Sequence, residues 1–138
     1  MQKKELEPVD YQLIERALEV LKHTFDDGIY NHTVGCSVLG ASGKIYSGVN
    51  CDGLHGSCAE YITMGIAISS YEKEFKTIVA VNEHAPNCVI SPCGNCRQML
   101  LEYAPGIDVI VNDETGKLVK VKIEDLLPFA WHRLIIED

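Results

Sequence analysis

The sequence predicts an α/β protein, a three-layer α/β/α sandwich around a mixed five-stranded sheet. Short apolar, β-branched runs such as TIVAVN and DVIVN alternate with stretches of helical spacing. The resulting order is α-β-β-α-β-α-β-β-α, which puts helices on both faces of one sheet. Two of the strand pairs flank tight turns, so the sheet cannot be all parallel.

The first helix is expected from about Val9 to His23, because Leu13, Ile14, Ala17, Leu18 and Leu21 recur at helical spacing. Asp26, Asp27 and Gly28 end it. VGCSVLG and KIYSGVN read as strands joined by the hairpin turn Ala41-Ser42-Gly43. After the loop CDGLHGS, a helix is expected from Cys58 to about Tyr71, with Ile62, Ile66 and Ser69 or Ser70 towards one side. TIVAVN reads as a buried strand. SPCGNC is a turn opening the helix CRQMLLEYA, which Pro105-Gly106 stops. DVIVN and KLVKVKI are strands around the turn Asp113 to Gly116, and IEDLLPFAWHRL reads as a short helix and a tail.

At 138 residues the chain reads as one domain, 1–138, large enough to fold without disulfides. The formal net charge is −8 and no Lys/Arg cluster occurs. A protein that tracks a nucleic-acid strand presents a basic groove, so the expected partner is a small molecule and not a polymer. No secretory h-region and no apolar run of bilayer length is present, which points to no membrane and to the cytoplasm. In a reducing cytosol, six cysteines are better read as including metal ligands than as disulfides.

Two places carry the chemistry, Cys58-Ala59-Glu60 and Pro92-Cys93-Gly94-Asn95-Cys96, each at an expected helix start. The C-x-x-C pair brings two thiolates within one turn, and Cys58 is a third ligand if the two helix N-termini converge. Three protein ligands leave the fourth position of a tetrahedral zinc open, the arrangement of a catalytic site. Glu60, two residues after a ligand, can reach that position without binding metal and can carry a proton. Three thiolates on Zn²⁺ sum to −1, and two helix N-termini offset this charge. Arg97 is expected to help by donating to a thiolate. Two other readings compete. One is a closed zinc clip with Cys36, Cys51, Cys88 or a His as fourth ligand; the other is a thiol redox motif.

C-A-E followed by P-C-x-x-C is the three-cysteine form of the signature of zinc nucleobase deaminases. With SPCGNCRQ, the chain resembles the cytidine deaminase superfamily in its small-subunit branch. SPCGNCRQMLLEYAPGI and ETGKLVKVKIEDLLP are similar to the second half of blasticidin-S deaminases. The resemblance runs from VGCSVLGASGKIYSGVN to LLP. It implies one Zn²⁺ per subunit on Cys58, Cys93 and Cys96, and hydrolytic replacement of the C4 amine of a free cytosine nucleoside. Glu60 would be the proton carrier, groups around Ala59, Ser91 and Cys93 would orient the ring and its amine, and the assembly would be a homotetramer.

Asn50-Cys51-Asp52 matches the N-x-E that binds ribose hydroxyls in cytidine deaminases, with the shorter Asp. His32 takes the place of a Phe that stacks on the base. These departures leave room for a larger nucleoside such as blasticidin S. His55 either lines the pocket or caps its loop. The resemblance implies a C-terminal segment that closes over the site or packs on a neighbour, beside which Phe129 and Trp131 read as core or interface packing; Cys36, Cys51 and Cys88 read as small apolar residues. An RNA- or DNA-editing deaminase and a non-catalytic zinc module remain alternatives from other functional classes.

Overall fold

The computed structural model describes residues 1–133; the end of the expected tail, 134–138, lies outside the described residues. The first helix, α1 (Pro8–Lys22), starts with proline at its first position and a reciprocal cap, in which the Asp10 carboxylate accepts the Glu7 N–H at 2.7 Å. It buries Leu13, Ile14, Ala17 and Leu21. It stops before the Asp-Asp-Gly expected to end it, where the Thr24 hydroxyl donates to the Leu21 carbonyl.

Strands β1 (Gly35–Gly40) and β2 (Ile45–Val49) form the expected hairpin, with Gly35 opposite Val49 and Leu39 opposite Ile45. Next come α2 (Ala59–Ser69), β3 (Phe75–Val81), a 3₁₀ turn and the two-residue β4 (Val89–Ile90). Then α3 (Gly94–Tyr103) leads to the hairpin of β5 (Asp108–Asn112) and β6 (Leu118–Lys122), and a 3₁₀ turn over Ile123–Leu126 stands where a short helix was expected. The sheet order is β2-β1-β3-β5-β6, with only the β3–β5 pair parallel, and β4 pairs antiparallel with the end of β3. The sheet is mixed as expected but has six strands. The sixth is β4, too short to show a period of two.

Side-chain alternation along the strands divides the core. Val79, Val81, Val89 and Ile110 face α1, whereas Ile78, Val109 and Val111 face α2 and α3. All of β1 is buried because helices cover it on both faces. Two glycines permit this. A Cβ at Gly35 would collide with the Ala17 carbonyl of α1, and one at Gly48 would stand 2.9 Å from the Thr63 hydroxyl of α2. Helix α2 turns a different side inward from the one expected. Ala59, Glu60, Thr63, Met64 and Ala67 are buried, on the side that packs on β1 and β2, while Ile66 and both serines are exposed.

The N-terminal arm closes the β6 edge through a bridge between Lys4 and Lys120. Lys120 then reaches the wholly buried Asp10 of α1 at 2.9 Å and Glu7 at 3.2 Å. No helix among the described residues is long and apolar enough to cross a membrane.

Candidate active site

The starts of α2 and α3 meet at the end of the sheet where β1 begins and β3 ends. Cys58 is the N-cap of α2 and Cys93 the N-cap of α3, both with extended backbone. Their sulfurs are 3.8 Å apart, and with Cys96 all three sulfurs lie within 4.8 Å of one another. A tetrahedral zinc with bonds of about 2.3 Å needs sulfurs about 3.8 Å apart, so the cradle fits the ion.

Burial pushes Cys58 and Cys96 up, and the nearby Glu60 carboxylate adds to the rise at both. Burial acts on Cys93 too, but the N–H of Cys96, the two neighbouring thiols and the N–H of Asn95 outweigh it and bring Cys93 below the ordinary thiol range. All three would bind as thiolates only with a divalent ion between them to take the place of their protons. No fourth Cys, His, Asp or Glu joins the cluster among the described residues. That weighs against a closed clip. Of the candidate fourth ligands, Cys36 is buried, Cys51 is exposed and Cys88 is half-buried, so only Cys36 packs as a small apolar residue should.

Beside the sulfurs opens a cavity of about 320 Å³. Cys58, Ala59, Glu60 and Cys93 line it together with Asn50, Asp52, Val34, Ile90 and Ser91. Glu60 is 5% exposed, and burial holds its carboxyl above the usual Glu range despite its own N–H and the Cys96 thiol. A carboxyl that protonates this readily is suited to pass a proton in both directions.

Asn50 is a structural pin as well as a lining residue. Its Oδ1 accepts the N–H groups of Thr33 at 3.2 Å and Val34 at 3.1 Å, while its Nδ2 donates to Asp52 Oδ1 at 3.1 Å. A bridge between Cys51 and Ser57 pinches the short intervening loop, with N–H···O bonds of 3.0 and 2.8 Å. Behind Ile90, Asn112 donates to the carbonyls of Pro86 and Val89, and Asn87 donates to Asn112, fixing the approach to β4. Asn87 and Cys88 both have positive φ there, backbone strain concentrated beside the site.

Not every expected residue arrives. His32 lies outside the cavity, in a separate 150 Å³ hollow with Leu21, Asn82 and His84. Its ring meets Phe25 edge-on at 5.0 Å and its Nδ1 sits 3.1 Å from the Phe25 carbonyl, so Val34 occupies the wall instead. His55 is exposed and does not line the cavity. Arg97 bonds to no sulfur, because its donors go to the Pro92 carbonyl, the Ser91 hydroxyl and the Leu126 carbonyl. Phe129 and Trp131 are exposed in the protomer and do not pack in the core. Val34, Gly56, Ser57 and Ile90 line the cavity without having been foreseen; only their closeness to motif residues hinted at them.

Residues 8–112 match the cytidine and deoxycytidylate deaminase zinc-binding region. The chain is 37% identical over 133 residues to a blasticidin-S deaminase of Bacillus cereus, covering 90% of this chain and 93% of that one. It is 31% identical over 105 residues to a cytidine deaminase of Sporosarcina psychrophila, covering 72% and 75%. A crystal structure of cytidine deaminase from Burkholderia pseudomallei superposes with a TM-score of 0.72 at 29% identity, over 88% of this chain and 98% of that one. With the three-sulfur cradle and its neighbouring cavity, these likenesses make the chain a zinc-dependent deaminase of the cytidine deaminase superfamily.

Proposed function

We propose that the protein hydrolyses the C4 amine of a free cytosine nucleoside such as cytidine or deoxycytidine, giving the uracil nucleoside and ammonia. The observation that carries this reading is a buried carboxylate, Glu60, facing a nucleoside-sized cavity beside a three-sulfur zinc cradle. Zinc in that cradle supplies Lewis acidity, which lets a water ionise near neutral pH. Glu60 takes the proton from that water and delivers it to N3 as oxygen adds to C4. It then carries the remaining proton from the new C4 hydroxyl to the amine, which leaves as ammonia as the carbonyl forms. The aliphatic faces of Val34 and Ile90 flank the ring, and Ala59 closes the floor. Ser91 and the Cys93 backbone orient the amine. Asn50 Nδ2 and Asp52 are the polar groups for the sugar, with Asp52 Oδ1 already held by Asn50.

Blasticidin S is the second reading. The 37% identity to a blasticidin-S deaminase favours it, and so does the short Asp52 carboxylate in the lining of the cavity. A net charge of −8 disfavours a nucleic-acid strand as substrate. We read the working form as a cytoplasmic homotetramer serving pyrimidine salvage. Tyr61, Ile66 and Ile68 on α2, with Tyr103 on α3, leave apolar surface uncovered in the protomer and support association.

The test is loss of ultraviolet absorbance when zinc-loaded protein meets cytidine, deoxycytidine and blasticidin S separately, with Glu60→Ala as control. Turnover of cytidine or deoxycytidine supports the salvage reading. Turnover of blasticidin S alone replaces it with detoxification, and turnover of none overturns both.

A further inference from the structure

Two residues of α3 that follow the last cysteine face away from the sulfurs, towards chain on either side of the helix. Arg97 donates from Nε to the Pro92 carbonyl at 2.8 Å, from Nη2 to the Ser91 hydroxyl at 2.9 Å, and from Nη1 to the Leu126 carbonyl at 2.7 Å. Gln98 donates from Nε2 to the Trp131 carbonyl at 3.0 Å. One acceptor pair forms the turn between Ile90 and Cys93, which is a wall of the cavity. The others belong to the chain after β6, whose last regular piece is the 3₁₀ turn Ile123–Leu126.

We propose that Arg97 is a positioning residue that locks the Ser91–Pro92 wall to the C-terminal turn, so that the placement of the ring-binding wall depends on that turn being docked. Apart from the packing of the buried Pro92, few backbone bonds hold that turn. Strand β4 ends at Ile90, α3 begins at Gly94, and Pro92 has no N–H to donate. A guanidinium presents several donors in a rigid plane and can join three acceptors that a lysine ammonium cannot reach together. Leu126 is 29 positions from Arg97, so the bond joins segments far apart in sequence. The kinetic consequence rests on the proposed deaminase reading; the coupling of the two segments does not.

The experiment compares Arg97→Ala and Arg97→Lys with the parent, all zinc-loaded. It follows zinc content, amide hydrogen exchange over residues 88–91 and 123–131, and kcat and KM for the nucleoside turned over. Both variants are expected to keep one zinc per chain and to exchange about ten-fold faster in both segments together. KM should rise about ten-fold with a smaller fall in kcat. Millimolar guanidinium should restore part of the KM in Arg97→Ala and none in Arg97→Lys. Arg97→Lys keeps the charge and the apolar stem, so it stands in if the alanine variant does not fold. Faster exchange in one segment alone or in neither, or loss of zinc from both variants, overturns the coupling. A parent inactive on every cytosine nucleoside overturns the deaminase reading, and the exchange data still decide the role of Arg97.

Discussion

Glu60 shows how a single residue combines position and environment. It lies in the first turn of α2, and burial raises its carboxyl. Positioned acid–base groups contribute about 10²–10⁴ in rate. Glu60→Gln should therefore lower kcat by at least about a hundred-fold while zinc content and melting temperature hold, as metal analysis and a thermal melt would show. Asn50 predicts the opposite pattern. Asn50→Ala leaves the Thr33 and Val34 N–H groups without their acceptor and frees Asp52. A loss of about 1–3 kcal/mol of stability is expected in a denaturant titration, with a raised KM and little change in kcat. Glu60 and the cysteines could be read from the sequence because their chemistry is encoded within five consecutive positions or fewer. His32 could not, because its ring is drawn aside by Phe25, a contact that no local pattern records.

The helices and strands were legible where periodicity is strong and long. Helix α1 packs Leu13, Ile14, Ala17 and Leu21 as its spacing predicts. Helix α2 is apolar on most sides, so spacing could not tell which face turns inward, and the close approach of Thr63 to Gly48 of β2 helps to set it. Strand β4 has two residues and no period to detect. One contact between elements gives a clear prediction. Lys120 on β6 is 5% exposed and holds Asp10 of α1, which is 0% exposed. Removing the lysine strands a buried carboxylate. Lys120→Met should cost about 2 kcal/mol, between the small value of an exposed pair and the larger value of a fully buried one. Burial lowers the Lys120 pKa, but Asp10 and Glu7 outweigh it and raise it above the ordinary value. The stabilisation is therefore complete below about pH 10.4, the ordinary lysine value, and is lost as pH rises through the higher folded value. Melts from pH 8 to 11 should show that loss in the parent and not in Lys120→Met.

At the scale of the molecule, helices above and below the sheet bring the starts of α2 and α3 to one end, where the strand termini leave room for a cavity. The order of elements sufficed to read this sandwich from the sequence. The placement of the C-terminal segment was not legible, since it is set by Arg97 and Gln98 bonding to Leu126 and Trp131 across the fold. The zinc cradle ties together two helices far apart in sequence, so metal should stabilise the whole chain. Chelation should lower the melting temperature by roughly 10 °C, with zinc addition restoring it. Below neutral pH protons compete with the metal for the thiolates, and zinc should be released more easily as pH falls.

The most direct test of the central claim measures ammonia release with cytidine, deoxycytidine and blasticidin S in parallel with zinc content, for the parent and for Glu60→Gln. The account predicts one ammonia per ring converted for at least one of these substrates with the parent, almost none with Glu60→Gln, and one zinc per chain in both. No ammonia from any of the three with the zinc-loaded parent, or an undiminished rate in Glu60→Gln, would contradict it.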